Sequence, residues 1–224
     1  MGKKLSREFY LNPDTVAAAR GLLGKLIVVP DEQGRRVSGM IVETEAYLGT
    51  TDRAAHSYGG RRTQRNEVTY GTGGHAYVFF IYGMYYQLNV VVGPAELPHV
   101  VLIRAVEPVE GIETMRERRS RKKSEPGVVA TGSSALSEPG AIATGSMPDK
   151  NLTSGPGKLC IALGITRELN AADLLGDRIW LESHRSFTAA EIATGTRIGI
   201  DYAGEDAEKP WRFWFNGNDF VSKK

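Results

Sequence analysis

A single α+β domain is the architecture this sequence predicts: a curved, mainly antiparallel β-sheet with surrounding helices and one protruding β-hairpin. Three observations predict it. Strand-like runs follow one another through short turns, at residues 25–29 and 35–47 and again at 76–82 and 85–92, which suits antiparallel hairpins. Helical patterns at residues 13–23, 110–118 and 158–165 supply the helices around that sheet. The chain of 224 residues, 41% hydrophobic and 24% charged, is long for one average domain and short for two.

In chain order, Asn12-Pro13-Asp14 opens the first helix, with Asn12 as N-cap and Pro13 at the first helical position. Val16, Ala19, Leu22 and Leu23 line one side, and Gly24 stops it. Residues 25–29 read as a strand; Asp31-Glu32-Gln33-Gly34 has turn composition, so residues 35–47 return as the antiparallel partner. Residues 48–75, rich in Gly, Thr, Arg and Asn, form an irregular loop, and loops of that length in compact domains are functional or disordered. Aromatic and β-branched residues mark 76–82 and 85–92 as strands, with Gly83-Met84 as the turn, so Tyr82, Met84 and Tyr85 gather at the tip.

Residues 99–105 form a further strand, apolar except for Arg104, and 110–118 a helix. SEPGVVATGS at Ser124 and SEPGAIATGS at Ser137 are an imperfect duplication, too short and too few for a solenoid. The surrounding segment, residues 120–153, reads as a flexible low-complexity insertion. Residues 158–165 form a helix with Leu159, Ile161 or Ala162, and Leu163 inward, and 171–175 a short one. Residues 179–182, 197–202 and 211–215 are the remaining strands; in the last, Trp211, Phe213 and Phe215 share a face opposite Arg212, Trp214 and Asn216.

Several function classes are excluded. No run approaches the ~18 apolar residues of a membrane span, and the N-terminus lacks the apolar core of a signal peptide, so the expected location is the cytoplasm, at the nucleoid if bacterial. One cysteine, Cys160, allows no internal disulfide and no CxxC pair, and His56, His75, His99 and His184 have no metal-ligand spacing. Gly71-Thr72-Gly73-Gly74 lacks the GxGxxG pattern and precedes a strand; Gly155-Pro156-Gly157-Lys158 lacks P-loop spacing. The net charge of +2 and pI of 8.6 fall below the ~9 of a strongly basic nucleic-acid binder. Cations cluster nonetheless, as Arg61, Arg62 and Arg65, and as the run Arg116, Arg118, Arg119, Arg121, Lys122, Lys123, which suits a solvated helix end better than direct phosphate contact.

The chemistry concentrates in Val42-Glu43-Thr44-Glu45-Ala46-Tyr47. With a side-chain period of two, Glu43, Glu45 and Tyr47 share one face of the strand, an arrangement that suits either a charged edge or a site. An arginine inside an apolar strand needs an anionic partner, so Arg104 points to Glu45 or Glu43. The rings at the hairpin tip suit cross-strand aromatic pairing, but large rings at an exposed tip do little for stability, and an apolar wedge there suits insertion between base pairs from the minor groove better. An enzyme acting on a base must flip it into a pocket and hold it by stacking, and Tyr47, His56 and Phe79 are the rings placed to do so.

The run VETEAYLG followed by DRAAHS resembles the alkyladenine (3-methyladenine) DNA glycosylase family. RNEVTYGTGGHAYVFFIYGMYYQLNVV, VLIRAVEPVEGIETMRERR, SGPGKLC and RIGIDYAG resemble further segments of it in order, so the likeness covers roughly residues 9–118 and 154–221. The resemblance implies a formyltransferase C-terminal-domain-like fold and a monomeric, monofunctional enzyme without metal or cofactor. Its substrate would be double-stranded DNA containing damaged purines: 3-methyladenine, hypoxanthine, ethenoadenine and 7-methylguanine. It further implies that Glu45 activates the water, with Arg104 and a backbone carbonyl near Ile198 holding it. Tyr47, His56 and Phe79 would line the base pocket, Asn89 obstruct the 2-amino group of guanine, Tyr82 intercalate beside Met84, and Lys158 bind a phosphate. Phe79 departs from the family's tyrosine, which keeps the ring face and loses a hydroxyl; the duplication replaces a basic linker. Glu43 remains the rival carboxylate, with a structural role expected. A non-catalytic minor-groove binding module and a hydrolase of free nucleosides remain as alternatives.

Overall fold

The computed structural model describes residues 2–81, 83–124 and 150–223. In chain order its elements are helices α1 (Arg7–Tyr10) and α2 (Thr15–Leu22); strands β1 (Leu26–Val28), β2 (Ser38–Tyr47), β3 (Ala76–Ile81), β4 (Tyr85–Val92) and β5 (His99–Glu110); helices α3 (Ile112–Ser124), α4 (Lys150–Thr153) and α5 (Pro156–Leu163); and strands β6 (Trp180–Glu182), β7 (Ile192–Gly195) and β8 (Arg212–Phe215). The strands join one antiparallel sheet in the order β3-β4-β5-β2-β1-β6, which branches at β2. One edge of β2 pairs with β5; along the other, residues 38–40 pair with β1 and residues 43–45 with β8, which carries β7. Register shifts on either side of Glu43 mark bulges at this branch, and bulges bend and twist a strand, so the sheet curls into a half-barrel. This is the single α+β domain that the hairpin spacing predicts. Because β2 is central, its carboxylates cannot be guarding an edge.

The two faces of β2 divide the molecule. Val42 and Ala46 are fully buried and Thr44 Oγ1 donates to the Ala19 carbonyl of α2 at 2.9 Å, so this face lies under the helix. Leu22, Leu23, Ile41, Ile103, Phe213, Leu159 and Leu163 pack into the same core without solvent contact, and Ile27 beside them is almost fully buried. Burial of each such side chain contributes roughly 1.5–3 kcal/mol, which stabilises an eight-residue helix that would be marginal alone. Glu43 and Glu45 occupy the opposite face.

Preceded by α1, helix α2 starts later than Asn12-Pro13 suggests. Asp14 is its N-cap, accepting from the Ala17 amide at 2.9 Å, and Asn12 accepts from the Asp14 amide instead. Asp14→Ala is therefore expected to cost about 1 kcal/mol, read as a lower denaturant midpoint at unchanged slope.

Residues 171–175 form no helix: Ala171 has φ +62°, Asp173 bridges to His75, and the Leu174 amide donates to Gly74. These backbone groups are spent on the end of β3 rather than on one another. Nor do residues 197–202 form a strand. Gly199 takes φ +76°, the Ile198 amide is spent on a side chain, and the strand in this region is β7. The strand expected at 99–105 runs to Glu110, and the helix after it reaches Ser124. Helix α5 begins at Pro156 and ends on Gly164 at φ +75°, with Ala162 inward. Of the expected insertion, residues 125–149 lie outside the described residues, as does Tyr82; its ends are the last turn of α3 and α4. No helix among the described residues is long and apolar enough to cross a membrane.

Candidate active site

On the polar face of β2, three strands bring two carboxylates and two guanidiniums together. Arg104, from β5, reaches Glu43 Oε1 with Nε at 3.0 Å and Glu45 Oε1 with Nη1 at 3.1 Å. The expectation of one partner thus resolves into both. Glu43 also accepts from Arg212 of β8 at 3.0 Å and from the Ser222 amide at 2.7 Å. Three donors hold it, two of them charged, and it is wholly buried. A carboxylate so occupied supports the structure around it.

Glu45 is held differently. Its Oε1 accepts from the Ile198 amide at 2.8 Å and faces Arg104, while Oε2 accepts from the Tyr47 hydroxyl at 2.8 Å. Two of roughly four acceptor positions take hydrogen bonds and Arg104 faces a third, which leaves capacity for one more donor. Burial pushes the Glu45 carboxyl above the usual carboxylate range, against the Arg104 charge and the two hydrogen bonds. Burial, together with the Glu45 charge, pushes the Tyr47 phenol well above its ordinary value, so Tyr47 is the donor of that pair.

Arg104, Tyr47 and Ile198, the three partners of Glu45, line a cavity of about 160 Å³, and the fully buried Glu45 carboxylate lies behind them. That is about half of the roughly 300 Å³ at which drug-sized sites begin, room for one flat ring system. Its other walls are His56, Tyr77 and Phe79 from the long loop and β3, Gln87 and Asn89 from β4, and Gly199 and Ile200. The period of two explains the set: Tyr77, Phe79, Gln87 and Asn89 are odd-numbered residues on one face of paired strands. His56 meets Phe79 edge-on at 4.6 Å and its Nδ1 shares a hydrogen bond of 2.8 Å with Tyr77 Oη. Burial, then the Arg65 and Arg61 charges, lowers the His56 pKa, which keeps the imidazole neutral at neutral pH. Asn89 is buried, with Nδ2 donating to the Tyr77 carbonyl at 3.3 Å.

Behind this wall lies a pair that sequence reading missed. Arg197 and Asp52 are both without side-chain solvent contact and meet through two hydrogen bonds, at 2.5 and 2.9 Å. Arg197 also donates to the carbonyls of Ala46 and Asp206, and its guanidinium lies 4.7 Å from the Tyr47 ring centre and 4.9 Å from that of Trp211. Asp52 accepts from the Leu48 and Ala54 amides. The pair thus ties the loop that carries His56 to the segment that carries Ile198.

Of the expected site residues, Glu45, Arg104, Tyr47, His56, Phe79, Asn89 and Ile198 converge here, Ile198 through its amide N–H. Met84 and Lys158 stand apart. Met84 is 53% exposed at the hairpin tip, next to Tyr85. Lys158 sits in the first turn of α5 beside Gly157, where an added Cβ would meet the Tyr85 ring at 2.9 Å. Burial and the nearby Arg119 charge lower the Lys158 pKa. Tyr77 and Gln87 were also missed; both were legible as the same-face neighbours of Phe79 and Asn89.

Comparison with known proteins gives one consistent result. The model of the methylpurine-DNA glycosylase family matches residues 8–219. A Clostridium acetobutylicum protein named "Putative 3-methyladenine DNA glycosylase" is 48% identical over 219 residues, 98% of this chain and 97% of that one. Proteins of the same name from Desulfitobacterium hafniense and Clostridium novyi are 46% and 43% identical over 222 residues, 99% of this chain and all of each relative.

Proposed function

The chain belongs to the methylpurine-DNA glycosylase family, and from that premise we propose that it flips damaged purines out of duplex DNA and hydrolyses their N-glycosidic bond with Glu45 as base. The observation that carries this is the buried Glu45 carboxylate, held by Arg104, the Ile198 amide and the Tyr47 hydroxyl, three residues that themselves line a ring-walled cavity.

A base inside a duplex is out of reach, so the nucleotide swings out at a cost of a few kcal/mol and its base enters the cavity. There Tyr47 and the His56–Phe79 wall stack on it. Cleavage passes through positive charge on the sugar, which an adjacent carboxylate stabilises. A water molecule on the last acceptor position of Glu45 gives its proton to the carboxylate as its oxygen bonds C1′. The C1′–N bond breaks, and the purine leaves with the electron pair. Nucleotides of 3-methyladenine and 7-methylguanine already carry positive charge, so those bases depart without a protonating acid and one carboxylate suffices; hypoxanthine and ethenoadenine are neutral and depart with a proton taken from solvent. The charge of the methylated bases also strengthens stacking on aromatic faces, as it does for other cations. Asn89 blocks the 2-amino group of intact guanine, Tyr82 and Met84 fill the gap in the duplex, and Lys158 holds a backbone phosphate. Among the described residues no lysine lines the cavity to form a Schiff base, and the expected product is an abasic site in an uncut strand.

Single-turnover incubation with duplexes bearing 3-methyladenine, 7-methylguanine, hypoxanthine or ethenoadenine tests this. The expected result is free base and an alkali-labile strand. Tight duplex binding with no base released would leave only a minor-groove binding module, and release from free nucleosides alone would make the protein a nucleoside hydrolase.

A further inference from the structure

The polar lining of the cavity is largely committed to itself. Tyr47 is bonded to Glu45, His56 Nδ1 to Tyr77, Ser57 and Thr69 to each other and to Asn66, Arg104 to both carboxylates, and Asn89 Nδ2 to a carbonyl. Gln87 is different. It lines the cavity and is partly buried, yet among the described residues neither its carboxamide oxygen nor its nitrogen has a hydrogen-bond partner. A pocket that is mostly ring and aliphatic surface uses its few free polar groups to fix the orientation of what enters.

The register says which part of a base lies there. Gln87 stands directly opposite Phe79 across β3 and β4, so its side chain runs beside that ring and reaches the edge, not the face, of a base stacked on it. The row Glu45, Leu102, Asn89, Tyr77 crosses the sheet from β2 to β3. Strand β4 is two strands from β2, roughly 10 Å away, so Gln87 lies across the cavity from the Glu45 carboxylate. A purine whose glycosidic nitrogen points to Glu45 turns its opposite edge, N1 and the 6-substituent, toward Gln87.

Resting on the glycosylase reading above, we propose that Gln87 is a specificity-determining residue that hydrogen-bonds the N1/C6 edge of the flipped purine. A carboxamide offers one acceptor and two donor hydrogens and can present them in either order by turning over. In one orientation it accepts from the 6-amino group and donates to N1 of 3-methyladenine. Turned over, it donates to O6 and accepts from N1–H of hypoxanthine or 7-methylguanine. Ethenoadenine has N1 and N6 tied into a second ring with no N–H on that edge, so it takes one hydrogen bond at most. A single side chain thus admits both 6-amino and 6-oxo purines and favours either over the etheno lesion.

Gln87→Leu, near in size and without polar atoms, tests the assignment by single-turnover release of hypoxanthine and ethenoadenine. Hypoxanthine release is expected to fall on the order of 10-fold, the loss of one to two neutral hydrogen bonds, while ethenoadenine release stays near wild type. Affinity for an abasic-site duplex, which has no base to read, should not move. Gln87→Asn, with the same group on a shorter stem, should fall between the two. An unchanged ratio of the two rates, an equal fall for both bases, or a loss of abasic-site affinity overturns the proposal. A wild-type protein that releases neither base removes the glycosylase reading and this one together, whereas an active wild type with an unchanged Leu variant removes this one alone.

Discussion

Glu45→Gln is expected to lower single-turnover base release by about 10²–10⁴-fold, the range a positioned general base contributes, with duplex affinity retained. The amide keeps the size of the side chain and can still accept from the Ile198 amide, so the cavity persists while the proton acceptor is gone. Arg104 does not become an unpaired buried cation, because its Nε remains on Glu43. Glu43→Gln should behave in the opposite way. It removes the charge that balances Arg104 and Arg212 and puts an N–H₂ among three donors, so the loss should be greater in stability than in the rate of the surviving folded protein. Wild-type activity from Glu45→Gln, measured alongside its melting temperature, would overturn the assignment of the base. The pH profile supplies a second check. Since burial holds the Glu45 pKa above the usual carboxylate range, and only the ionised form accepts the proton, activity should fall as pH drops through a point above the ordinary Glu value of 4.5. Glu45→Gln should lack that acid limb.

What the sequence made legible follows from how local the determining physics is. The two hairpins were readable because the period of two and their turns lie within a dozen residues. Arg104 was readable as the partner of the carboxylates because a guanidinium in the run Val101-Leu102-Ile103 has no other way to be stable. The misread stretches share a cause. Arg197-Ile198-Gly199-Ile200 alternates like a strand, but its backbone is committed elsewhere: the Ile198 N–H to a side chain 153 residues away, and Gly199 to positive φ. Residues 171–175 have helical composition, yet tie themselves to the end of β3. Neither commitment has a local signature. Gln87 is an intermediate case: a polar residue in a strand says little until the register places it opposite Phe79.

Arg197→Leu should then be the most damaging substitution for folding. Asp52 and Arg197 are both sealed from solvent, and removing one partner of such a pair leaves an uncompensated buried charge, a loss of about 3–5 kcal/mol. In a domain whose whole stability is about 5–15 kcal/mol, that is a large fraction. The damage should also reach the site. Arg197 adjoins Ile198 in the chain, holds the Ala46 carbonyl next to Tyr47, and backs the Tyr47 ring, so its removal loosens both donors to Glu45. Arg197→Lys keeps the charge but not the forked geometry or the planar stack, and it should recover part of the stability and less of the rate. If the pair were only a fastening for the loop, the rate of the folded Lys variant and its acid limb would match wild type. Loss of the Ile198 hydrogen bond should instead raise the Glu45 pKa further and move the acid limb to higher pH. Urea unfolding and the pH dependence of base release, measured on the same two variants, distinguish these outcomes.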